Sequence, residues 1–228
     1  IDRPAIASFF PTLKGESCML DLGANIECDS GNLVQFAVMG QIFARLVLNL
    51  PRPTVGLLNV GSEEQKGHEE LREASSVLRE IDLPMDFIGF VEGDDITAGT
   101  VDVIVTDGFS GNIALKAAEG TSRMFTHFLR EAFGSSIYSK IGYVLSKTAI
   151  NQLRERMDPR KYNGAVFLGL NGIAVKSHGG TDSFGFANAI GVAADMSNYG
   201  FLDKVKDELR TLHAEDEASG RSHGTGDA

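Results

Sequence analysis

The sequence predicts an α/β fold: a mostly parallel sheet sandwiched by helices, with a protruding helical pair. Three observations predict it. Short β-branched or apolar runs alternate with amphipathic helical patterns along most of the chain. One of those runs, residues 54–60, is almost continuously apolar, as a strand covered by helices on both faces requires. Finally, 228 residues with 43% hydrophobic and 23% charged side chains can bury a sizeable core, which excludes a mainly solvated chain.

Taken in order, the chain opens irregularly with Pro4 and Pro11, and residues 17–21 read as a short buried strand ended by Gly23-Ala24-Asn25. Ser30 reads as the cap of a helix whose apolar positions, from Leu33 and Phe36 to Val47 and Leu48, recur at helical spacing until Pro51. Residues 54–60 are an almost continuous apolar run closed by Gly61, and a helix follows over 66–80. Residues 86–90 and 101–107 are two further strands. The second is closed by Gly108-Phe109-Ser110-Gly111-Asn112 and followed by a helix to about Phe133. The helical pair is expected over 123–161, broken near Gly134-Ser135-Ser136 and Gly142. Asn171-Gly172 between the strands 165–170 and 173–176 signals a hairpin, and Thr181 reads as the cap of a helix over 183–196. Residues 1–213 are thus expected to form the α/β domain and 214–228 a mobile acidic tail without apolar period.

Composition excludes several classes. With 21 basic against 31 acidic residues the formal charge is −10, which argues against a general nucleic-acid binder. Two cysteines, Cys18 and Cys28, cannot staple a chain of this size, which fits a reducing compartment. The longest apolar or glycine run, residues 164–170, is too short to span a bilayer, and no signal peptide opens the chain. It begins Ile1-Asp2-Arg3-Pro4 without an initiator Met, as a piece of a longer product would. The expected helical pair departs from the overall acidity: Arg123, Arg130, Lys140, Lys147, Arg154, Arg156, Arg160 and Lys161 face only Glu131, Glu155 and Asp158, a net +5. Such an island is either a solvated face or a docking surface for an acidic protein or an anionic membrane.

Four strand ends share one pattern, glycine beside asparagine with a helix soon after: 22–25, 59–61, 107–112 and 170–172. In an open parallel sheet such ends line one crevice, where glycines let backbone approach an anion and helix N-termini offer N–H groups. The candidates for holding phosphate or an acyl phosphate are Asp21, Gly23, Ala24, Asn25, Asn59, Gly61, Lys66, Gly108, Ser110, Gly111, Lys116 and Lys176. Asn112, Asn171 and His178 are the candidates for polarising a carbonyl or moving a proton. Dinucleotide, nucleoside-triphosphate, serine-elbow and metal-ligand motifs are all missing, so no metal and no cofactor is expected.

At these residues the chain resembles a known family, the bacterial phosphate acyltransferases of phospholipid synthesis (PlsX type). The resemblance is carried over residues 1–200 by Arg3-Pro4-Ala5-Ile6-Ala7, Leu20-Asp21-Leu22-Gly23-Ala24-Asn25, Gly56-Leu57-Leu58-Asn59-Val60-Gly61, Asp107-Gly108-Phe109-Ser110-Gly111-Asn112 and Gly169-Leu170-Asn171-Gly172, with shorter blocks between. It implies a sheet fold similar to phosphotransacetylases and isocitrate dehydrogenases. It also implies transfer of a long-chain acyl group from acyl carrier protein to inorganic phosphate, a homodimer, and cytoplasmic location with peripheral contact to an anionic membrane. Under it, Arg130, Lys140, Lys147, Arg154 and Arg156 become the carrier or membrane surface. The family's opening strand, with its Asp-Ala-Met-Gly-Gly-Asp motif, has no counterpart here. A coenzyme A-dependent phosphotransacetylase-like enzyme and a non-catalytic carrier- or membrane-binding scaffold are the alternatives, and a dehydrogenase rests on fold analogy alone.

Overall fold

The computed structural model describes residues 1–156, 158, 160–207 and 210, and besides the elements named below residues 201–207 are helical. The strands are β1 (Ala5–Thr12), β2 (Gly15–Leu20), β3 (Thr54–Leu58), β4 (Asp86–Val91), β5 (Val103–Val105), β6 (Ala165–Leu168) and β7 (Ala174–Lys176). The helices are α1 (Ser30–Val47), α2 (Glu69–Glu80), α3 (Gly93–Ala98), α4 (Gly108–Gly134), α5 (Ile137–Leu145), α6 (Lys147–Arg156) and α7 (Ser183–Asn198). The expected acidic tail, 214–228, lies outside the described residues.

The strands form one sheet in the order β4-β3-β5-β2-β1-β6-β7. Neighbours from β4 to β2 pair in parallel, whereas β1 is antiparallel to both β2 and β6, and β7 to β6. Five of the seven strands therefore point one way, with β1 and β7 opposed. The opening segment is a strand after all. Pro11, which has no N–H to give, lies beyond the three β1 residues that pair with β6, where that edge has no neighbour to receive one.

Burial explains the layers. Val103, Ile104 and Val105 of β5 and Cys18, Met19 and Leu20 of β2 are fully buried, as strands with helices on both faces must be. On one face α1 supplies Phe36, Met39, Ile42 and Phe43, joined by Leu78 of α2 and Met196 of α7. Gly40 lets α1 approach closely: a Cβ there would stand 2.7 Å from Val103 Cγ1 and 2.9 Å from Leu20 Cδ2. On the other face Ile6, Phe10, Met19, Leu22 and Ile104 pack against Ile96 of α3 and Leu115 and Ala118 of α4.

Boundaries differ from expectation where a better hydrogen-bonding group sits next door. Asp29, not Ser30, caps α1, accepting from the Asn32 N–H at 2.7 Å. Asp182, not Thr181, caps α7 through the Gly185 N–H at 3.0 Å. The helical pair is broken at Ser135-Ser136 as expected, but its second break falls at Ser146 rather than Gly142, which lies inside α5.

Candidate active site

Because β2, β5, β3, β4 and β6 run the same way, their carboxyl ends emerge on one rim. Asp21 follows β2 and is completely buried. Its Oδ1 accepts from the backbone N–H groups of Ile6, Gly23 and Ala24 at 2.9, 3.1 and 3.0 Å. Its Oδ2 accepts from the Asn25 N–H at 2.7 Å and from Asn25 Nδ2 at 2.9 Å. The loop is thus wound around a carboxylate, which compensates that charge for the loss of water. Asn25 Nδ2 also donates to the Pro4 carbonyl at 2.8 Å, tying the loop to β1.

The first turn of α4 docks on this loop. Gly108 N–H donates to the Asn25 carbonyl at 2.6 Å, and Asn112 Nδ2 donates to the Leu22 carbonyl at 3.1 Å. A Cβ on Gly108 would stand 2.5 Å from the Asn25 oxygen, and one on Gly111 would collide with the Asp21 carbonyl. Gly23, at φ +127°, meets Asn112 Nδ2 in the same way at 2.9 Å. The glycines serve contact between two loops as well as access for a ligand.

Next along the rim, Asn59 folds the loop after β3. Its Oδ1 accepts from the Val60 N–H at 2.9 Å, and its Nδ2 donates to the Lys66 carbonyl at 3.1 Å. Lys66 Nζ pairs with Glu63 Oε2 at 2.8 Å, and a Cβ on Gly61 would lie 2.7 Å from that ammonium. The hydrogen bond that Lys66 donates to Glu63 raises the Lys66 pKa, so the ammonium stays charged. Lys116, one turn beyond Asn112, is exposed and 3.8 Å from Glu119 Oε2.

These contacts change what the rim offers an anion. The N–H groups of Gly23, Ala24, Asn25, Gly108, Ser110 and Gly111 all donate within the protein. In the first turn of α4, Phe109 alone has a backbone N–H without an acceptor among the described residues, and sequence reading passed over it because its side chain carries no chemistry. What remains for a ligand is this N–H at the positive end of α4, the Ser110 hydroxyl, Lys116 and Lys66. Behind the loop the field is negative: the Cys28 thiol is pushed up to about 11, by burial first and then by Asp21 and Asp107.

The remaining candidates separate. Asn171 lies on the same rim, exposed, but β1 intervenes between β6 and β2, about 10 Å of strand spacing. Lys176 and His178 do not join the rim. Because β7 runs against β6, with Lys176 opposite Ala165, both leave the sheet at its other end. There the His178 N–H donates to Asn163 Oδ1 at 2.8 Å, and His178 Nδ1 accepts from the Gly180 N–H at 3.1 Å. A neutral His178 thus carries its proton on Nε2. Buried Asn163 completes a second polar knot by donating to Ser177 Oγ at 2.9 Å and the Gly185 carbonyl at 2.7 Å.

Where a helical pair is expected, the structure has three helical stretches: the outer half of α4, then α5 and α6. Ile137, Tyr138, Ile141, Val144 and Leu145 are all exposed, as are Arg130, Lys140, Lys147 and Arg154. Arg156 lies in α6, its side chain outside the described residues. Among the described residues no helix is long and apolar enough to cross a membrane.

An open, mostly parallel sheet whose glycine-rich loops interlock with a helix N-terminus at the carboxyl rim defines a domain of the α/β class. Residues 1–204 match the model of the family described as "Fatty acid synthesis protein", and the chain belongs to that family. It is 66% identical over 222 residues to the phosphate acyltransferase of Rhodospirillum centenum, covering 97% of this chain and 62% of that protein. Over 212 residues it is 60% identical to the phosphate acyltransferase of Paramagnetospirillum magneticum, covering 93% and 60%. Over 215 residues it is 60% identical to that of Agrobacterium fabrum, covering 94% and 61%. The chain thus spans about three-fifths of the length of these relatives. Among solved structures, the EutD phosphotransacetylase from Staphylococcus aureus aligns with a TM-score of 0.43 and 19% identity, over 54% of this chain and 43% of that one.

Proposed function

We propose that the protein containing this chain transfers a long-chain acyl group from acyl carrier protein to inorganic phosphate, giving acyl phosphate. The observation that carries the reading is the 66% identity, over 97% of the chain, to a relative named phosphate acyltransferase. Phosphate is itself a nucleophile at neutral pH, so the protein has to hold it beside the thioester and stabilise the oxyanion. Lys116, Lys66, Ser110 and the Phe109 N–H hold phosphate at the carboxyl rim. A phosphate oxygen then attacks the thioester carbon, the C–O bond forms, and the tetrahedral intermediate expels the carrier thiolate, which takes up a proton. Asn112 uses one Nδ2 hydrogen on Leu22 and keeps the other for the acyl carbonyl. Asp21, Asn25 and Asn59 hold the loops in place.

The same reading makes the protein a cytoplasmic homodimer in peripheral contact with an anionic membrane, the exposed apolar face of α5 and Lys147 meeting the lipid. Acyl phosphate formation by the full-length protein, with acyl carrier protein and coenzyme A thioesters compared as donors, is the test. Phosphate-dependent turnover of the carrier thioester is expected. Turnover of the coenzyme A thioester alone would make it a phosphotransacetylase-like enzyme, and no turnover with either would leave a binding scaffold.

A further inference from the structure

Between α4, α5 and α6 runs a groove of about 910 Å³, a size suited to one drug- or lipid-sized molecule. Its apolar lining includes Phe125, Leu129, Phe133, Tyr143, Ile150 and Leu153, with the Phe133 and Tyr143 rings edge to face at 5.4 Å. Arg130, Lys140 and Arg154 also line it. The other ionisable groups of the lining have partners: Arg123 meets Glu119 at 3.2 Å, His127 Nε2 lies 3.5 Å from Glu131 Oε1, and Asp158 meets Arg160 at 2.6 Å. Arg130, Lys140 and Arg154 have no ion pair among the described residues.

An apolar floor with three uncompensated cations complements one kind of molecule, a single long hydrocarbon chain ending in an anion. A second copy of the chain is a poorer complement, because its helices over 123–161 carry the same net +5 and would set like charges against each other. We propose that this groove binds the acyl chain of an amphiphile with a phosphate head group. The choice of head group rests on the acyl-transfer reading, whereas binding of the chain does not. The groove begins at Ser122, ten residues beyond Asn112 and so about 15 Å along α4 from the rim. It would shelter the chain of an acyl phosphate once the reaction at the rim is over.

Calorimetry on the full-length protein, with hexyl, decyl and tetradecyl phosphate below their micellar concentrations, tests this. Affinity should rise with chain length, by at most about fourfold per methylene, and tetradecanol should bind at least about tenfold more weakly than tetradecyl phosphate. Leu153→Trp, which fills the groove, and Arg130→Glu with Arg154→Glu should each weaken tetradecyl phosphate by about tenfold or more. Arg154→Gln, an exposed substitution, gives the same direction should the others fail to fold. Lys116→Ala should lower turnover yet bind tetradecyl phosphate normally, so loss of the catalytic reading and loss of this site are separable. Affinity independent of chain length, or unchanged in the groove variants, overturns the proposal. So does a Leu153→Trp protein that binds normally and changes only its oligomeric state in light scattering.

Discussion

Gly111 on α4 lies directly against the carbonyl of Asp21, leaving no room for a single methyl group. This contact locks the first turn of a helix onto the loop that follows β2, and the geometry of the rim depends on it. Gly111→Ala is expected to destabilise the protein by about 1–3 kcal/mol through overpacking. Gly120→Ala, nine residues further along the same helix with nothing within 4 Å of the new Cβ, should instead stabilise by up to about 1 kcal/mol. Urea denaturation of the two variants compares them directly.

Asp21 should matter as a framework. Asp21→Ala leaves five buried or half-buried N–H groups without their acceptor and is expected to cost about 3 kcal/mol or more. Amide exchange at Gly23, Ala24 and Asn25 should accelerate with it. Wild-type protection at those three amides would contradict the framework role.

Cys28 should be inert despite its partial exposure. With the thiol pushed up to about 11, only about a thousandth is thiolate near about pH 8. Iodoacetamide labelling followed by intact mass should be slow in the native protein and fast in urea. Rapid native labelling would show that the loop opens or that the field behind it is not negative.

Acid should loosen the start of α7. Asp158 is held below the usual carboxylate range first by its bond from the Arg160 side chain, and Asp182 first by the Gly185 N–H and then by Arg160. Groups with lowered pKa contribute stability that is present above their unfolded values, about 3.9, and lost as pH falls through the folded ones. Exchange at the Gly185 amide should therefore be slow at neutral pH and speed up, relative to its intrinsic rate, below about pH 4. Arg160→Gln should move that loosening to higher pH. A profile unaffected by the substitution would remove Arg160 from the explanation.

Much of the fold was legible because periodicity and strand punctuation report burial directly, as in residues 54–60 and 101–107. The opening strand was not. Pro11 argues locally against a strand, and only pairing with β2 and β6 overrides it. The glycine-asparagine loops do share one rim, as their strand-end positions imply, but sequence does not say whether an asparagine amide faces a ligand or a neighbouring carbonyl. Asn25 and Asn59 turn inward and tie loops, and Asn112 shares its amide with Leu22. The far-rim position of Lys176 and His178 was implicit in the Asn171-Gly172 hairpin, since a hairpin returns the chain to the end it came from. Asn163, which holds the His178 backbone, gave no signal in the sequence because its partners are 14 to 22 residues away.

The most direct test of the rim as the phosphate site is the phosphate dependence of acyl phosphate formation by the full-length protein carrying Lys116→Ala or Lys66→Ala. The account predicts that KM for phosphate rises by about tenfold or more, with KM for the acyl donor and the melting temperature unchanged. An unchanged phosphate KM in both variants would contradict it.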